Sequence, residues 1–154
     1  MQRRNFVAAA ATLLALSFAA PAAEPPRASV EEAQAMVKKA VDYYRKNGRE
    51  KALAEISKPQ GKFTDRDLYV TVYDLDGTCL AHINPRVIGK NMLDQRDTDG
   101  KHFTRERLEA AKLKPNGWQD FKFFNPMTRK IEPKRQYWER YDDLVFAAGA
   151  YRAD

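Results

Sequence analysis

Cysteine and histidine are scarce in this 154-residue sequence, which contains one cysteine and two histidines. A single cysteine, Cys79, excludes an internal disulfide bond and any metal site built from several cysteines. Because Cys79 falls in the middle of a predicted strand, we expect a small buried hydrophobic residue there rather than a catalytic thiol. His82 and His102 do not make a metal site between them, so we expect no metal and no other cofactor.

Long apolar runs and clustered charge are also scarce once the first 22 residues are set aside. No later run is long enough to hold the chain in a membrane. The formal net charge is +6 for the whole sequence and falls to +4 after residue 22, because residues 1–22 carry two arginines and no acidic residue. The basic residues are interspersed with acidic ones, so we do not expect the protein to bind nucleic acid.

The first 22 residues have the pattern of a signal peptide. Arg3 and Arg4 form a positive n-region, residues 6–20 are apolar, and Ala20-Pro21-Ala22 supplies the small residues that an export peptidase reads. We therefore predict cleavage before Ala23 and a periplasmic or otherwise exported protein without membrane insertion. The arginine pair partly matches a twin-arginine signal, which leaves the export route open between that pathway and the general secretory one.

Residues 68–82 form the stretch around which the rest is organised. Apolar residues at 68, 70 and 72 alternate with Tyr69, Thr71 and Tyr73, which is typical of a half-buried strand. Asp74-Leu75-Asp76-Gly77 is a turn sequence, because aspartate tolerates left-handed dihedral angles and glycine adopts them freely. The sequence therefore predicts a β-hairpin whose second strand runs from Thr78 to His82.

The elements on either side of this hairpin predict an α+β domain. Residues 23–28 form a linker, and residues 29–154 form a single domain. Ser29 and Glu32 form a capping box at the start of a long helix that ends at Asn47-Gly48. The remaining predicted elements are a short helix over residues 49–57, a loop over 83–101, a helix over 103–113, and strands over 117–124, 134–141 and 144–151. We expect a PAS-like five-stranded antiparallel sheet, with the long helix on one face and the loop–helix excursion on the other.

A series of short motifs carries a family resemblance. The motifs are Leu68-Tyr69-Val70, Asp76-Gly77-Thr78 with Ala81-His82, Gly89-Lys90-Asn91, Asp97-Thr98-Asp99-Gly100-Lys101, Gly117-Trp118, Asn125-Pro126, Lys134 and Gly149-Ala150-Tyr151. In this order and spacing the domain resembles a single Cache domain of the second type, an extracytoplasmic small-molecule sensor. Two departures are Phe121, where the family often has a tyrosine, and the lack of an output domain in this sequence.

The resemblance implies an exported, non-enzymatic protein that binds a small organic anion, such as acetate, pyruvate or lactate. Amines and purines bind other Cache domains, so the identity of the ligand stays open. The expected partners are a small-molecule ligand and a membrane receptor or transporter in trans. The alternative function is a structural or partner-binding accessory protein of the periplasm, which an exposed apolar patch and a collapsed pocket would favour.

A carboxylate pocket needs a fixed cation, neutral donors and an apolar wall. The predicted ligand-binding residues are Lys134 as the cation, Tyr137, Tyr73 and His82 as neutral donors, Trp118 as the wall, and Phe121. Lys134 and Tyr137 have opposite parity in one strand, so a regular strand turns at most one of them towards the ligand.

Two aspartate-rich motifs also resemble catalytic or metal-binding signatures. Asp74-Leu75-Asp76-Gly77-Thr78 matches the signature of haloacid-dehalogenase-type phosphatases, in which the two aspartates act as nucleophile and general acid around magnesium. Those enzymes need a parallel sheet with a crossover helix, whereas here a second strand follows at once. Asp97-Thr98-Asp99-Gly100 resembles the start of a calcium loop but lacks its later ligands, so we expect a turn.

Overall fold

The computed structural model describes residue 23 and residues 25–152 of the chain. In chain order the elements are α1 (Val30–Asn47), α2 (Arg49–Ile56), β1 (Thr64–Asp65), β2 (Leu68–Asp74), β3 (Cys79–Ala81), a 3-10 turn (Pro85–Val87), α3 (Phe103–Leu113), β4 (Asn116–Asn125), β5 (Lys130–Tyr141) and β6 (Leu144–Tyr151). The α+β class is confirmed. The predicted signal peptide, residues 1–22, lies outside the described residues.

The strands form one antiparallel sheet in the order β1-β2-β6-β5-β4, and β3 pairs with β2 as the predicted hairpin requires. The sheet contains the five predicted strands and the two-residue strand β1, which pairs with the start of β2. β5 begins four residues before its predicted start and pairs with β4 along the full length of that strand. The sequence did not reveal this extension, because Lys130 to Pro133 show no alternating pattern.

Helix α1 covers one face of the sheet. Its predicted capping box is present, since Ser29 accepts a hydrogen bond from the backbone of Glu32 and the Glu32 side chain accepts one from the backbone of Ser29. The helix ends at Gly48, whose φ of 81° is readily adopted by glycine. The buried helical residues pack with Val70 and Phe146 from β2 and β6 in one apolar cluster.

The strand β2 is more deeply buried than its alternating sequence predicted. Its first six residues are all buried, so the prediction of a half-buried strand is wrong. Leu68, Val70 and Val72 belong to the cluster beneath α1, whereas Tyr73 belongs to a second cluster on the other face. Both faces are covered, and tyrosine can be buried because its ring is apolar while its hydroxyl finds a partner.

The second face is covered by the loop over residues 83–101 and by α3, as predicted. The loop is held to the hairpin by an isolated bridge between Thr78 and Asn91. Leu108 of α3 packs with Cys79 and Trp138 of the sheet. A Cβ atom on Gly117 would lie 2.7 Å from the Trp138 ring, so glycine leaves room for that ring at β4. We call the face of the sheet that α3 covers the α3 face, and the face that α1 covers the α1 face.

Candidate functional site

A cavity of about 290 Å³ lies on the α3 face, between the sheet and the loop that follows β3. Its lining residues are Tyr69, Tyr73, His82, Ile83, Asn84, Val87, Met92, Gln95, Phe123, Phe124 and Pro126. The walls are mostly aromatic and aliphatic, with a few polar groups supplied by tyrosine, histidine, asparagine and glutamine. This composition is typical of a site for a small organic molecule.

Lys134 is buried beside this cavity, with an exposed fraction of 2%. Its ammonium group lies 4.2 Å from the centre of the Tyr69 ring and 5.6 Å from that of Phe123, and both rings line the cavity. Burial lowers the pKa of Lys134 to about 7, and the nearby charge of Arg107 contributes to the same shift. Near neutral pH, both the charged and the neutral form of this side chain are therefore populated in the free protein.

Gly149 makes room for the lysine stem. The register of β5 and β6 places Gln136 opposite Gly149 and Lys134 opposite Tyr151. A Cβ atom on residue 149 would lie 2.8 Å from Cε of Lys134 and 2.9 Å from the carbonyl oxygen of Arg135. The lysine thus crosses β6 at the one position where that strand carries no side chain.

Two tyrosines connect Lys134 to the cavity wall. The Tyr151 hydroxyl donates to the carbonyl oxygen of Phe124 at 2.7 Å and accepts from the ammonium group of Lys134 at 3.3 Å. Because the Tyr151 proton is directed to Phe124, the 3.2 Å contact between the two hydroxyls has Tyr69 as its donor. Burial raises the pKa of Tyr69 to about 12, so this hydroxyl stays neutral.

His82 is a neutral group in the cavity wall. Burial lowers the pKa of His82 to about 4, and the charge of Lys134 acts in the same direction. Its Nδ1 atom accepts the backbone N–H of Asn84 at 2.8 Å, so the single proton of the neutral ring is on Nε2. His82 can therefore donate one hydrogen bond to a ligand without adding charge.

Arg107 is a second buried cation on the α3 face, with an exposed fraction of 2%. Its guanidinium group lies 5.1 Å from the centre of the Tyr73 ring, which lines the cavity. It donates one hydrogen bond to the side-chain oxygen of Gln136. Burial lowers the pKa of Arg107, partly offset by Tyr73 and Cys79, but arginine remains charged in proteins.

Neither of these cations forms an ion pair with a carboxylate of the described residues; their protein hydrogen-bond partners are Tyr151 and Gln136. A buried acidic residue of the same sheet, in contrast, has an ion-pair partner. Glu132 accepts from Arg27 at 2.7 Å and from Asn125 at 2.7 Å, and these bonds lower the pKa of Glu132 to about 2. Lys134 and Arg107 have no ion pair of this kind in the described part of the chain; the buried Asp67 acts on Lys134 only through its charge, which raises the pKa of the lysine against the larger effect of burial.

The structure brings some of the predicted site residues together. Tyr73 and His82 line the cavity, and Lys134 lies next to its aromatic wall. Phe121 lies beside Lys134 in the sheet, but its ring stacks on Phe103 at 4.3 Å and is not part of the lining.

Trp118 and Tyr137 lie on the other side of the sheet. They are cross-strand partners with ring centres 5.2 Å apart, and Tyr137 belongs to the apolar cluster beneath α1. The prediction that Trp118 forms the cavity wall and that Tyr137 supplies a donor there is therefore corrected. The physical reason is strand parity: residues that pair with Tyr137 share its face, and Lys134, three positions earlier, points the opposite way.

The two aspartate-rich motifs, which begin at Asp74 and Asp97, shape local turns. The Asp74 carboxylate accepts the backbone N–H groups of Asp76 and Thr78, and the next strand is antiparallel rather than part of a crossover. Asp97 accepts three backbone N–H groups, which shapes its turn and ties it to β4. Within residues 25–152 no group of three or more histidine, cysteine or acidic side chains is arranged to hold a metal ion.

Cys79 is buried, and this burial raises the pKa of its thiol to about 11. A thiol with so high a pKa is almost entirely protonated at neutral pH, which does not suit a nucleophile.

Three residues at or beside the cavity, Arg107, Tyr69 and Tyr151, were not among the predicted site residues. A signal for Arg107 was present, because an arginine interrupts the apolar stripe of α3 at a position that faces the sheet. A signal for Tyr69 was also present, because it lies on the same face of β2 as Tyr73, which was a predicted site residue. Nothing local marks Tyr151, whose role depends on the pairing of β6 with β5.

No helix in the described part of the chain is both long and apolar enough to cross a bilayer.

Comparison with known proteins identifies the family. Residues 8–154 match the family model described as Single Cache domain 2. No curated protein is matched. Among solved structures, a methyl-accepting chemotaxis protein from Vibrio parahaemolyticus is 23% identical, with a TM-score of 0.68, over 79% of this chain and 86% of its own.

Two further structures share the fold. The periplasmic sensor domain of a chemotaxis protein is 21% identical, with a TM-score of 0.62, over 80% of this chain and 90% of its own. A Cache chemosensory domain described for its recognition of carboxylic acids is 20% identical, with a TM-score of 0.62, over 80% and 88% of the two chains.

Proposed function

Because the chain belongs to the Single Cache domain 2 family, we propose that it is an exported sensory protein that binds a small organic anion in the cavity beside Lys134. The observation that carries this proposal is the pair of buried cations, Lys134 and Arg107, without carboxylate partners among the described residues. Burying an unpaired charge destabilises a fold. A bound anion would supply the missing partner.

The neutral groups of the cavity suit the same kind of ligand. A carboxylate would accept a charge-assisted hydrogen bond from Lys134 and a second one from Nε2 of His82. The rings of Tyr69, Tyr73 and Phe123 would enclose its carbon chain. One of the similar structures is described for carboxylic acid recognition, which supports this chemical class.

The proposed location is the periplasm or another exported compartment, reached by the signal peptide predicted over residues 1–22. A binding domain of this kind affects its cell through a partner, and we propose a membrane receptor or transporter that distinguishes the ligand-bound protein from the free one. The chemotaxis proteins among the similar structures support a sensory role.

A second candidate function, that of a partner-binding accessory protein, is favoured by an exposed apolar patch. Phe124, Met127 and Ile131 lie at the β4–β5 hairpin, and each is nearly half exposed. Patches of this kind often mark protein contacts. The open cavity favours the sensory function over this one.

The test is a thermal-shift screen of the protein against short organic acids, followed by calorimetric titration of the best ligand. At 100 times its dissociation constant a ligand should stabilise the fold by about 2.7 kcal/mol, a shift in Tm of roughly 5–15 °C. Lys134→Met, which keeps an unbranched side chain only one atom shorter and removes the charge, should weaken binding about ten- to a hundredfold through the loss of a charge-assisted contact.

The matched control is Lys38→Met, since Lys38 is an exposed lysine on α1, far from the cavity in the fold. It removes the same charge and should leave the dissociation constant unchanged. Equal binding by Lys134→Met and the wild type would place the anion site elsewhere, and a screen in which no organic acid raises Tm would favour the accessory function.

A further inference from the structure

The connection between β4 and β5 presents three large apolar side chains to solvent. Phe124, Met127 and Ile131 are 47%, 46% and 48% exposed. Phe124 and Ile131 are cross-strand partners, so their side chains lie next to each other, and Met127 lies in the turn between the two strands. We call residues 124–131 the β4–β5 tip. Apolar side chains concentrated on so short a segment indicate a contact surface.

Hydrogen bonds beneath the tip hold the turn in place. The Asn125 side chain is buried; its oxygen accepts the backbone N–H of Met127 at 2.9 Å, and its nitrogen donates to the Glu132 carboxylate at 2.7 Å. The Thr128 hydroxyl donates to the same carboxylate at 2.8 Å. The turn therefore cannot fold its apolar residues onto the sheet without breaking bonds to a buried carboxylate.

The tip also carries positive charge without a counter-charge. Arg129 and Lys130 are exposed, and neither forms an ion pair within the part of the chain that the structure describes. Residues 121–131 include no acidic residue. The two carboxylates bonded to Asn125, those of Glu132 and Asp67, are buried. The surface therefore suits an occupant that offers both an apolar interior and a negatively charged boundary, and an anionic phospholipid bilayer offers both.

The position of the tip in the fold favours a bilayer over other occupants. Arg27 donates to Glu132 at 2.7 Å, so residues 1–26 continue from a point beside the tip. They include the apolar stretch over residues 6–20 that the sequence analysis assigns to a signal peptide. A signal peptide engages the membrane during export. The same end of the domain, with its exposed apolar and basic side chains, is thereby brought to the bilayer.

We propose that the β4–β5 tip is a membrane-docking surface, with Phe124, Met127 and Ile131 set among the headgroups of an anionic bilayer and with Arg129 and Lys130 against lipid phosphates. The association is peripheral and reversible, because a few half-exposed side chains and two charges bind far more weakly than a spanning helix. It needs no ligand in the cavity and so goes beyond the proposed function. Docking here would keep an exported protein at the membrane, where the proposed receptor or transporter lies.

The experiment measures co-sedimentation with lipid vesicles, using the protein that begins at Ala23, which contains every helix and strand of the fold. One set of vesicles contains equal parts of phosphatidylglycerol and phosphatidylcholine, and the other contains phosphatidylcholine alone. The wild type should bind the anionic vesicles, bind the neutral ones far more weakly, and dissociate as salt is added, because salt screens surface charge. Binding to neither kind of vesicle would overturn the inference.

A first double variant tests the basic residues. Arg129→Asn with Lys130→Gln should weaken binding to anionic vesicles by about twentyfold, from about fivefold for each charge. Asparagine suits position 129, where φ is 60°. The control, Lys46→Gln with Lys51→Gln, removes the same charge from exposed positions on α1 and α2 and should leave binding within about twofold of the wild type. Equal losses in both double variants would assign binding to net charge and contradict a docking surface at the tip.

A second double variant tests the apolar residues. Met127→Gln with Ile131→Thr keeps an unbranched side chain in the turn and a β-branched one in the strand, and it should weaken binding about tenfold. The control is Leu113→Gln, because Leu113 is 85% exposed near the other end of β4 and should not contact lipid.

Unchanged vesicle binding in the Met127 and Ile131 double variant, with Tm as in the wild type, would overturn the inference. Sedimentation velocity tests the other occupant, a second copy of the chain. A wild type that ignores vesicles and forms a dimer, which the substitutions at the tip dissociate, would also overturn it, because a second copy would then cover the patch.

Discussion

The two faces of the sheet are built from alternate residues of the same strands, yet they differ in character. On the α1 face, Val70, Phe146 and Ala148 pack with the helix in a cluster of aliphatic and aromatic residues that contains no buried charge. On the α3 face, the same strands and their neighbours carry the buried charge of Lys134 and the amide of Gln136. Period-two alternation lets one strand stabilise the fold on one side and present polar groups to a cavity on the other.

The difference shows how a small domain tolerates a polar interior. Buried unpaired charge destabilises the α3 face, whereas apolar burial on the α1 face contributes roughly 1.5–3 kcal/mol for each fully buried large aliphatic or aromatic side chain. Stability and binding are therefore separated by side of the sheet rather than by segment of sequence. Two substitutions and one pH series test this separation of stability from binding.

The largest expected effect is on the α1 face. Phe146 is fully buried and makes an edge-to-face contact with Tyr44 at 5.5 Å. Phe146→Ala should lower the free energy of unfolding by about 3–5 kcal/mol and Tm by roughly 10–25 °C. Lys134→Met on the other face should leave Tm equal or raise it, because it removes a buried charge. Thermal denaturation followed by circular dichroism measures both, and equal losses in the two variants would contradict the separation.

The next effect is a pH dependence that belongs to the α3 face. The pKa of Lys134 is about 7 in the folded protein, against an ordinary value of 10.5. Between these values the free folded protein binds fewer protons than the unfolded chain, so this lysine makes the free energy of unfolding rise with pH in that interval. An anion favours the charged form, and binding above pH 7 must therefore take up a proton.

The dissociation constant should consequently rise about tenfold per pH unit above pH 7, until the pKa of Lys134 in the complex is reached. His82, with a pKa of about 4, and Tyr69, with a pKa of about 12, stay neutral across this range. Titrations in buffers of different ionisation enthalpy measure the proton uptake. A flat profile for the wild type, or the same slope in Lys134→Met, would assign the pH dependence to another group.

The smallest expected effect concerns Trp118, which is 38% exposed and pairs with Tyr137 on the α1 face. Trp118→Ala should change the dissociation constant of the ligand by less than about twofold, whatever it does to Tm. Titration of the folded variant at low temperature separates the two effects. Binding that is ten times weaker would mean that Trp118 reaches the ligand after all and that the assignment of faces is incomplete.

Local signals predicted much of the fold. The capping box of Ser29 and Glu32 and the boundaries of α3 depend on neighbouring residues, so the sequence predicts them well. Strand parity also predicted that Lys134 and Tyr137 could not both face the cavity. It could not show which of them does, because that choice depends on the helix or loop that covers each face. Trp118 was misplaced for the same reason, since its register with Tyr137 is a long-range pairing.

Arg107 illustrates a different limit. Its position in the apolar stripe of α3 was visible, but arginine at the margin of such a stripe commonly extends to solvent. The depth of its burial follows from the packing of α3 on Trp138 and Tyr73, which no local pattern encodes. The burial of two basic side chains on the α3 face is therefore a property of the assembled sheet.

The missing side chain at Gly149 also has an evolutionary consequence. A Cβ at residue 149 would collide with the stem of Lys134 and with the backbone of β5, so we expect the lysine and this glycine to be retained together. A descendant that keeps the lysine cannot acquire a side chain at 149 without rebuilding this part of the sheet. One that exchanges the lysine for a short residue loses part of that restraint, and the two positions should therefore vary as a pair across related sequences.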